Sequence, residues 1–411
     1  MAARLGSVTR WWLALLAGCG LGAATTEQEL STAVTTQRYT LIRDSAAEMG
    51  MYNGALLAGI AISETGLAHC QSEATYACKG PASSSCNGGP IIAGAADGPC
   101  SAQQGGLGMF QFDAGTYDQT VAAYGPSILT VEGNTAQAVS FVVDKVELDI
   151  AGIDDWFAAT GWMNAVPLDA NDAVMNQWAK LLACRYNGCC STSATCTSRA
   201  YGYRDNALTA FTAMGAEFWK TDNRCTTLPA DGVIEQRSEC YIAAGDPRYW
   251  RHVVAGSAGT LEWTGSTAAS KPANFAEWIV KASAGRYHVD VYLDGTYGTA
   301  KHAMYQIAHA GLIDMVELDQ TSATGFISLG EFDFIGTGDE HVMLTDNTGE
   351  DSVQVGFDAI RVQPTDSSNP MPTDPQSAGG CCQTGGGSGS GVLALGVVFL
   401  LRRRQTDQRR S

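Results

Sequence analysis

Positive charge is scarce in this chain: 25 Lys and Arg stand against 42 Asp and Glu in 411 residues, a formal net charge of −17. Nucleic-acid binding draws its affinity from Lys and Arg neutralising phosphates, so this balance excludes it. Capture of anionic membranes or polyanionic walls by field alone is excluded on the same ground. Histidine is also sparse, and His252, His288, His302, His309 and His341 show no ligand spacing. Neither a metal site nor a cofactor is expected. Cysteine is missing between Cys240 and Cys381, so that stretch has no disulfides and relies on a packed core. No apolar run reaches the roughly 20 residues a helix needs to cross a bilayer.

The ends of the chain carry export features. Arg4 and Arg10 precede the apolar run Trp11–Ala17, and residues 1–24 read as a secretory signal. Two processing sites compete: a lipobox over Leu16–Cys19, which would lipidate Cys19, and ordinary cleavage after Gly22-Ala23-Ala24. Ten further cysteines are even in number: Cys70, Cys78, Cys86, Cys100, Cys184, Cys189, Cys190, Cys196, Cys225 and Cys240. In an exported protein they read as disulfides confined to one domain, with connectivity open. The run Cys184 to Cys196 has no histidine and fits no common zinc spacing. Residues 364–390 form a Pro/Gly/Ser linker containing Cys381 and Cys382, and 391–404 join a short apolar segment to Arg402-Arg403-Arg404. A helix of about eleven residues spans only ~16 Å, so it serves as a permanent single-pass anchor only with help from its flanks.

Residues 30–225 read as a helical domain. Glu27–Ser45 leads into the first helical segment, and helical patterns resume near Thr116–Tyr124, Thr135–Leu148, Ala173–Ala183 and Arg204–Trp219, after a loop from Cys70 to Gly105 that reads as stapled surface. The apolar helix over Asn53–Ser63 is capped by Asn53 and stopped by Gly66. Leu56, Ile60 and Glu64 are spaced four apart, which puts a carboxyl on the core-facing stripe at the helix end. Desolvation there suits a general acid. Gly105–Tyr117 is glycine-dense around the amide Gln111, a pattern that lets backbone approach a flat ligand. Leu181–Gly188 delivers Tyr186 and Asn187 to a helix end.

Glu64-Thr-Gly-Leu67, Gly106-Leu-Gly-Met-Phe-Gln111 and Tyr186-Asn-Gly188, in that order, resemble the three motifs of lysozyme-like lytic transglycosylases and goose-type lysozymes. The resemblance covers Tyr39–Phe218. It implies cleavage of the β-1,4 bond between N-acetylmuramic acid and N-acetylglucosamine in peptidoglycan. Glu64 would be the acid, Gly108, Met109 and Gln111 the cleft lining, and Tyr186 and Asn187 the supports of glutamate and sugar. The gap from Glu64 to Gly108 is longer than the family's. No second carboxylate is firmly placed: Asp97 lies in a small-residue loop and Asp113 reads as the cap of the next helix. A single carboxyl fits the transglycosylase route, with hydrolysis left open.

Residues 226–245 read as a linker. From Asp246 the period changes to two: Tyr287, Val289, Val291 and Leu293 share one face, and Gly325–Phe334, His341–Thr345 and Ser352–Val362 continue as strands. The fold class is therefore multidomain, a helical domain plus an antiparallel β-sandwich over 246–363. Asp246–Trp250, Phe275–Trp278, Gly285–Val289, Val316–Gln320, Phe326–Gly330 and Phe357–Val362 resemble the golvesin/xanthan-lyase C-terminal domain, which implies carbohydrate binding. Trp250, Trp263 and Trp278 are candidates for stacking on sugars, or core tryptophans. The tail resembles the MYXO-CTERM sorting signal, implying a sorting protease, cleavage near the cysteine pair and residence at the cell surface or outside it. The expected partner is peptidoglycan or another polysaccharide, with membrane contact through the lipobox or the tail. The competing reading is a surface protein that binds wall or glycan without turnover.

Overall fold

The computed structural model describes residues 30–74, 76–95, 100, 106–221 and 224–365. The signal segment with Cys19, the loop residue Asp97 and the tail with Cys381, Cys382 and its apolar run lie outside the described residues. Among the described residues no helix is long and apolar enough to cross a membrane.

Among the described residues eight α-helices fill the N-terminal half: α1(Thr32–Ala47), α2(Gly54–Thr65), α3(Tyr117–Tyr124), α4(Val131–Asp149), α5(Trp156–Asn164), α6(Ala173–Arg185), α7(Ala194–Met214) and α8(Ala216–Trp219). Side-chain oxygens of Ser31, Thr116, Thr130, Asp155, Asp172 and Ser193 start six of them by accepting from the first free backbone N–H groups. Helix α2 is apolar all round and buried on nearly every side, which makes it the central helix, packed on α1, α4 and α7.

Several local expectations change. Asn53 sits at the N-cap of α2, but its amide donates instead to the Met163 and Val166 carbonyls at 3.2 and 3.1 Å. The Asn164 side chain accepts from the Tyr52 and Asn53 N–H groups in turn. Asp113 is not a helix cap: it accepts from Gly115 N at 2.7 Å, and Thr116 with Gln119 forms the capping box of α3. Helix α7 begins ten residues before Arg204, and α5 had no counterpart in the periodicity.

The cysteine-rich insertion is more than surface. It folds into a hairpin, β1(Cys78–Ala82) and β2(Pro90–Ala93), whose Ile91, Ile92 and Ala93 are fully buried. Cys70–Cys86 and Cys78–Cys100 staple it, while Cys184–Cys190 and Cys189–Cys196 tie the end of α6 to the start of α7. The fifth bridge, Cys225–Cys240, reaches the β half, where Cys240 is buried in the second core.

That half comprises β3(Val233–Ile234), β4(Tyr241–Gly245), β5(Arg251–Val253), β6(Leu261–Gly265), β7(Asn274–Ile279), β8(Gly285–Leu293), β9(Ala303–His309), β10(Leu312–Leu318), β11(Gly325–Phe334), β12(His341–Thr345), β13(Gln354–Phe357) and β14(Ile360–Pro364). All pairings are antiparallel, in sheets ordered β10-β9-β12-β7-β4, β11-β8-β14-β3 and β13-β6-β5. Tyr287, Val289, Val291 and Leu293 of β8 face Tyr305, Ile307, Val342 and Leu344 across the core, as the alternation predicts. Residues 226–245, read as a linker, contain β3 and β4. Strand β4 is buried on both faces: Ile242 and Ala244 join the helical core and Tyr241 joins the sandwich core. Such a strand shows no alternation, which hid it from periodicity. Through β4 and Phe275, which packs on Trp156 and Phe157, the helical and β halves form one compact unit.

Candidate active site

Three segments far apart in sequence meet at the C-terminal end of α2. The helix stops at Gly66, whose φ of 63° is the left-handed conformation glycine adopts without strain, and Leu67 follows at φ 70°. Thr65 fastens this turn to the glycine segment by donating from its hydroxyl to the Met109 carbonyl at 3.1 Å.

The glycine segment is held from the other side by Asn134 of α4, which is fully buried. Its Oδ1 accepts from Phe110 N at 2.9 Å, and its Nδ2 donates to the Leu107 and Ile128 carbonyls at 3.2 and 3.0 Å. Gly108 is required here: its φ is +72° and an added Cβ would lie 2.7 Å from Asn134 Nδ2. The inserted hairpin completes the support. Ile92 N donates to His69 O at 2.8 Å and Gly108 N donates to Ile92 O at 3.0 Å, so β2 bridges the Glu64 turn and the glycine segment.

Glu64 itself is half-buried, and its Oε1 accepts from the Tyr203 hydroxyl of α7 at 2.6 Å and from Asn187 Nδ2 at 3.4 Å. Asn187 also donates to the Tyr203 hydroxyl oxygen and accepts from Arg199. Tyr203 reaches Glu64 because α2 and α7 cross closely at Gly59, where a Cβ would lie 2.7 Å from the Ala207 backbone nitrogen. Burial first, and then the Glu64 charge, push the Tyr203 and Tyr186 phenols far above the usual tyrosine range. Both remain protonated donors at any physiological pH.

The expected site residues thus take different positions. Asn187 contacts Glu64 directly, whereas Tyr186 donates to the Phe110 carbonyl and packs against Phe112, Phe141 and Tyr203. Met109 is fully buried in the core, so only its backbone can face a ligand. Gln111, at φ 54°, spends its amide on Gly108 O at 2.7 Å and Ala95 N at 3.0 Å. Asp113 is exposed and engaged with Gly115. Sequence reasoning missed Tyr203, Arg199 and Asn134. The available signal for Tyr203 was its four-residue spacing from Ala207 on α7, where both side chains are buried.

In the β half, Trp278 is a core residue: it is fully buried and its indole N–H donates to Asp358 O at 2.9 Å. Trp250 packs partly buried on Phe357, and Trp263 is also partly buried.

No curated protein matches the chain. Among solved structures it is similar to a Paenibacillus xanthan lyase at 14% identity, covering 32% of this chain and 13% of that one, with a TM-score of 0.29. It is similar to a Podospora anserina GH26-CBM35 beta-(1,4)-mannanase at 14% identity, covering 35% of this chain and 29% of that one, TM-score 0.24. The K2 cleaved adhesin domain of Lys-gingipain aligns at 14% identity over 34% of this chain and 90% of its own, TM-score 0.14. The family comparison is more definite, and by it residues 250–364 carry a Golvesin C-terminal domain.

Proposed function

We propose that the chain is an exported, surface-associated glycosidase that cleaves the β-1,4 bond between N-acetylmuramic acid and N-acetylglucosamine in peptidoglycan. In this reading the helical half is a lysozyme-like domain with Glu64 as its acid and base, and the Golvesin C-terminal domain holds the enzyme on polysaccharide. The observation that carries the reading is the carboxyl of Glu64 at a helix end, met by Tyr203 and Asn187 from α7 and the α6–α7 turn. Five disulfides support an oxidising, extracytoplasmic location. Signal processing, either with lipidation at Cys19 or by ordinary cleavage after Ala24, and sorting with cleavage near Cys381 and Cys382, are part of the same proposal.

The proton transfers in this reading follow from one carboxyl serving first as acid and then as base. Tyr203 and Asn187 both donate to Oε1, which fixes the carboxyl that carries the proton to be delivered. Glu64 passes it to the glycosidic oxygen as the bond to the anomeric carbon breaks. The carboxylate left behind then takes the proton of the muramic 6-hydroxyl as that oxygen bonds to the anomeric carbon, giving a 1,6-anhydro sugar and restoring the acid. This route uses one carboxyl, whereas hydrolysis needs a second. Backbone groups of Gly108 and Met109, with Gln111 and Tyr186, make up the proposed sugar-facing wall.

Digestion of purified sacculi with the wild type and Glu64→Gln, followed by mass spectrometry, tests the proposal. Anhydro-muropeptides from the wild type alone are expected. Release of reducing ends instead would replace the transglycosylase route with hydrolysis. No release by either protein would leave a polysaccharide-binding surface protein.

A further inference from the structure

We propose that the cavity at the seam between the helical and β halves is a polysaccharide site, built on Phe157, Tyr249 and Asp144 and selective for uncharged sugars. The proposal rests on the polysaccharide-binding part of the reading above and is independent of the Glu64 chemistry.

The cavity measures about 640 Å3 and is walled by α4, the start of α5, the end of β4, the β6–β7 connection and β12. Ligand sites have volumes of this order and favour seams between packed units. The floor is aromatic: Trp156 and Phe275, both 7% exposed, pack edge to face with ring centres 6.2 Å apart. Two further rings line the cavity and stay open to solvent, Phe157 at 40% exposure and Tyr249 at 46%. Exposed rings scattered singly over a surface mean little, but two gathered at one cavity mark a binding surface.

Both exposed rings are held in place. Phe157 leans on Phe275 with ring centres 5.1 Å apart. Tyr249 closes a turn in which its N–H donates to Asp246 O at 3.2 Å, and the Arg248 guanidinium lies 5.4 Å from its ring centre. Arg248 is fixed in turn: its Nε donates to the Asp246 carboxylate at 2.9 Å and its Nη1 to Ala123 O of α3 at 2.9 Å. A ring positioned in this way loses little freedom when a ligand stacks on it, so more of the contact energy appears as affinity.

The polar groups select the ligand. Asp144 of α4 and Asp154 before α5 line the same cavity and are exposed. Asp144 feels the charges of Glu147, Asp246 and Lys271, which come from three different walls. Glu147 is paired with Lys271 and Asp246 with Arg248, so the surplus charge at the cavity is negative. Carboxylates accept hydrogen bonds from hydroxyls and aromatic rings cover C–H faces, and a sugar ring offers both. An acyl chain would desolvate the carboxylates without replacing their hydrogen bonds, and an acidic polysaccharide would be repelled. Residues 250–364 supply only the β6–β7, Phe275 and β12 side of this wall, so the Golvesin C-terminal domain carries part of the site and α4, α5 and Tyr249 the rest.

The test is calorimetric titration of the full chain carrying Glu64→Gln, which prevents turnover, with cellohexaose, mannohexaose and chitohexaose. At least one is expected to bind with a Kd below about 1 mM, and hexagalacturonate is expected not to bind. Adding Tyr249→Ala or Asp144→Asn is expected to raise that Kd about tenfold with Tm little changed, because both side chains are exposed. Undiminished binding in a folded Tyr249→Ala overturns the proposal and leaves the chain a polysaccharide binder through another surface. No binding of any of the three uncharged oligomers overturns it together with the polysaccharide reading. Tighter binding of hexagalacturonate or spermidine than of every uncharged oligomer overturns it too, by giving the cavity to a ligand of another class. Failure to digest sacculi, by contrast, counts against the Glu64 chemistry alone.

Discussion

Tyr203 decides how Glu64 is presented. Its hydroxyl donates to one carboxyl oxygen at 2.6 Å and fixes the orientation of the side chain. Tyr203→Phe removes that donor while the ring keeps its packing, so the fold survives. Under the proposed activity kcat is expected to fall on the order of 10- to 100-fold with KM little changed, read from initial rates of sacculus digestion. His69 is a second residue with a measurable signature. It is fully buried behind the Glu64 turn, with Nε2 bonded to Leu129 O at 3.0 Å and Nδ1 unpaired. Burial chiefly, with the Arg38 charge adding, lowers its pKa from 6.5 to about 4. A folded pKa below the unfolded one means that the unfolded chain takes up the proton first. Stability is therefore expected to fall as pH drops from 6.5 to about 4 and to level off below, by an amount on the order of 3 kcal/mol. Thermal melts across this range, with NMR titration of the His69 ring, check it. Asp358 and Asp346 act in the opposite direction: burial raises them to about 7 and about 6, so their contribution is lost as pH rises through those values.

At the scale of elements, the close crossing of α2 and α7 is the point of greatest sensitivity. Gly59→Ala places a methyl 2.7 Å from Ala207 Cβ and backbone nitrogen, both rigid. The helices must separate, and a loss of about 2 kcal/mol is expected in urea unfolding. Activity should fall further than stability explains, because Tyr203 retreats from Glu64. The sequence was readable where one period ran uninterrupted. The helix ending at Gly66 and the alternating face of β8 both follow from simple spacing. The site was half readable: Glu64 and Asn187 stand in contiguous motifs, but the tyrosine bonded to Glu64 does not. Helix α7 opens with Ala194-Thr-Cys-Thr-Ser-Arg199, which carries no apolar stripe and is held by Cys189–Cys196 and a Ser193 cap. Its first half was invisible to periodicity, and Tyr203 lay just outside the part that was seen.

At the scale of the molecule, β4 and Phe275 belong to both halves. Ile242, Ala244 and Phe275 are counted in the helical core although they lie on strands of the sandwich, and Ala243 N donates to Glu48 O at 3.0 Å. A flexible linker would let the halves melt separately. The shared core predicts one calorimetric transition for residues 30–365. Phe275→Ala, which empties a contact with Trp156 and Phe157, is expected to cost about 3 kcal/mol and to split that transition in two.

Under the proposed activity, the hairpin β1–β2 also sets when the protein can work. Its backbone braces the turn after Glu64 against the glycine segment, and the brace is closed by Cys70–Cys86 and Cys78–Cys100. In the reducing cytoplasm those bonds do not form, so a newly made chain lacks the floor beneath its carboxyl until it has left the compartment where it was synthesised. Mild thiol treatment of the mature protein is expected to silence it before the sandwich melts. Under the proposed activity, the chain would then be born blunt and sharpened only on the far side of the membrane.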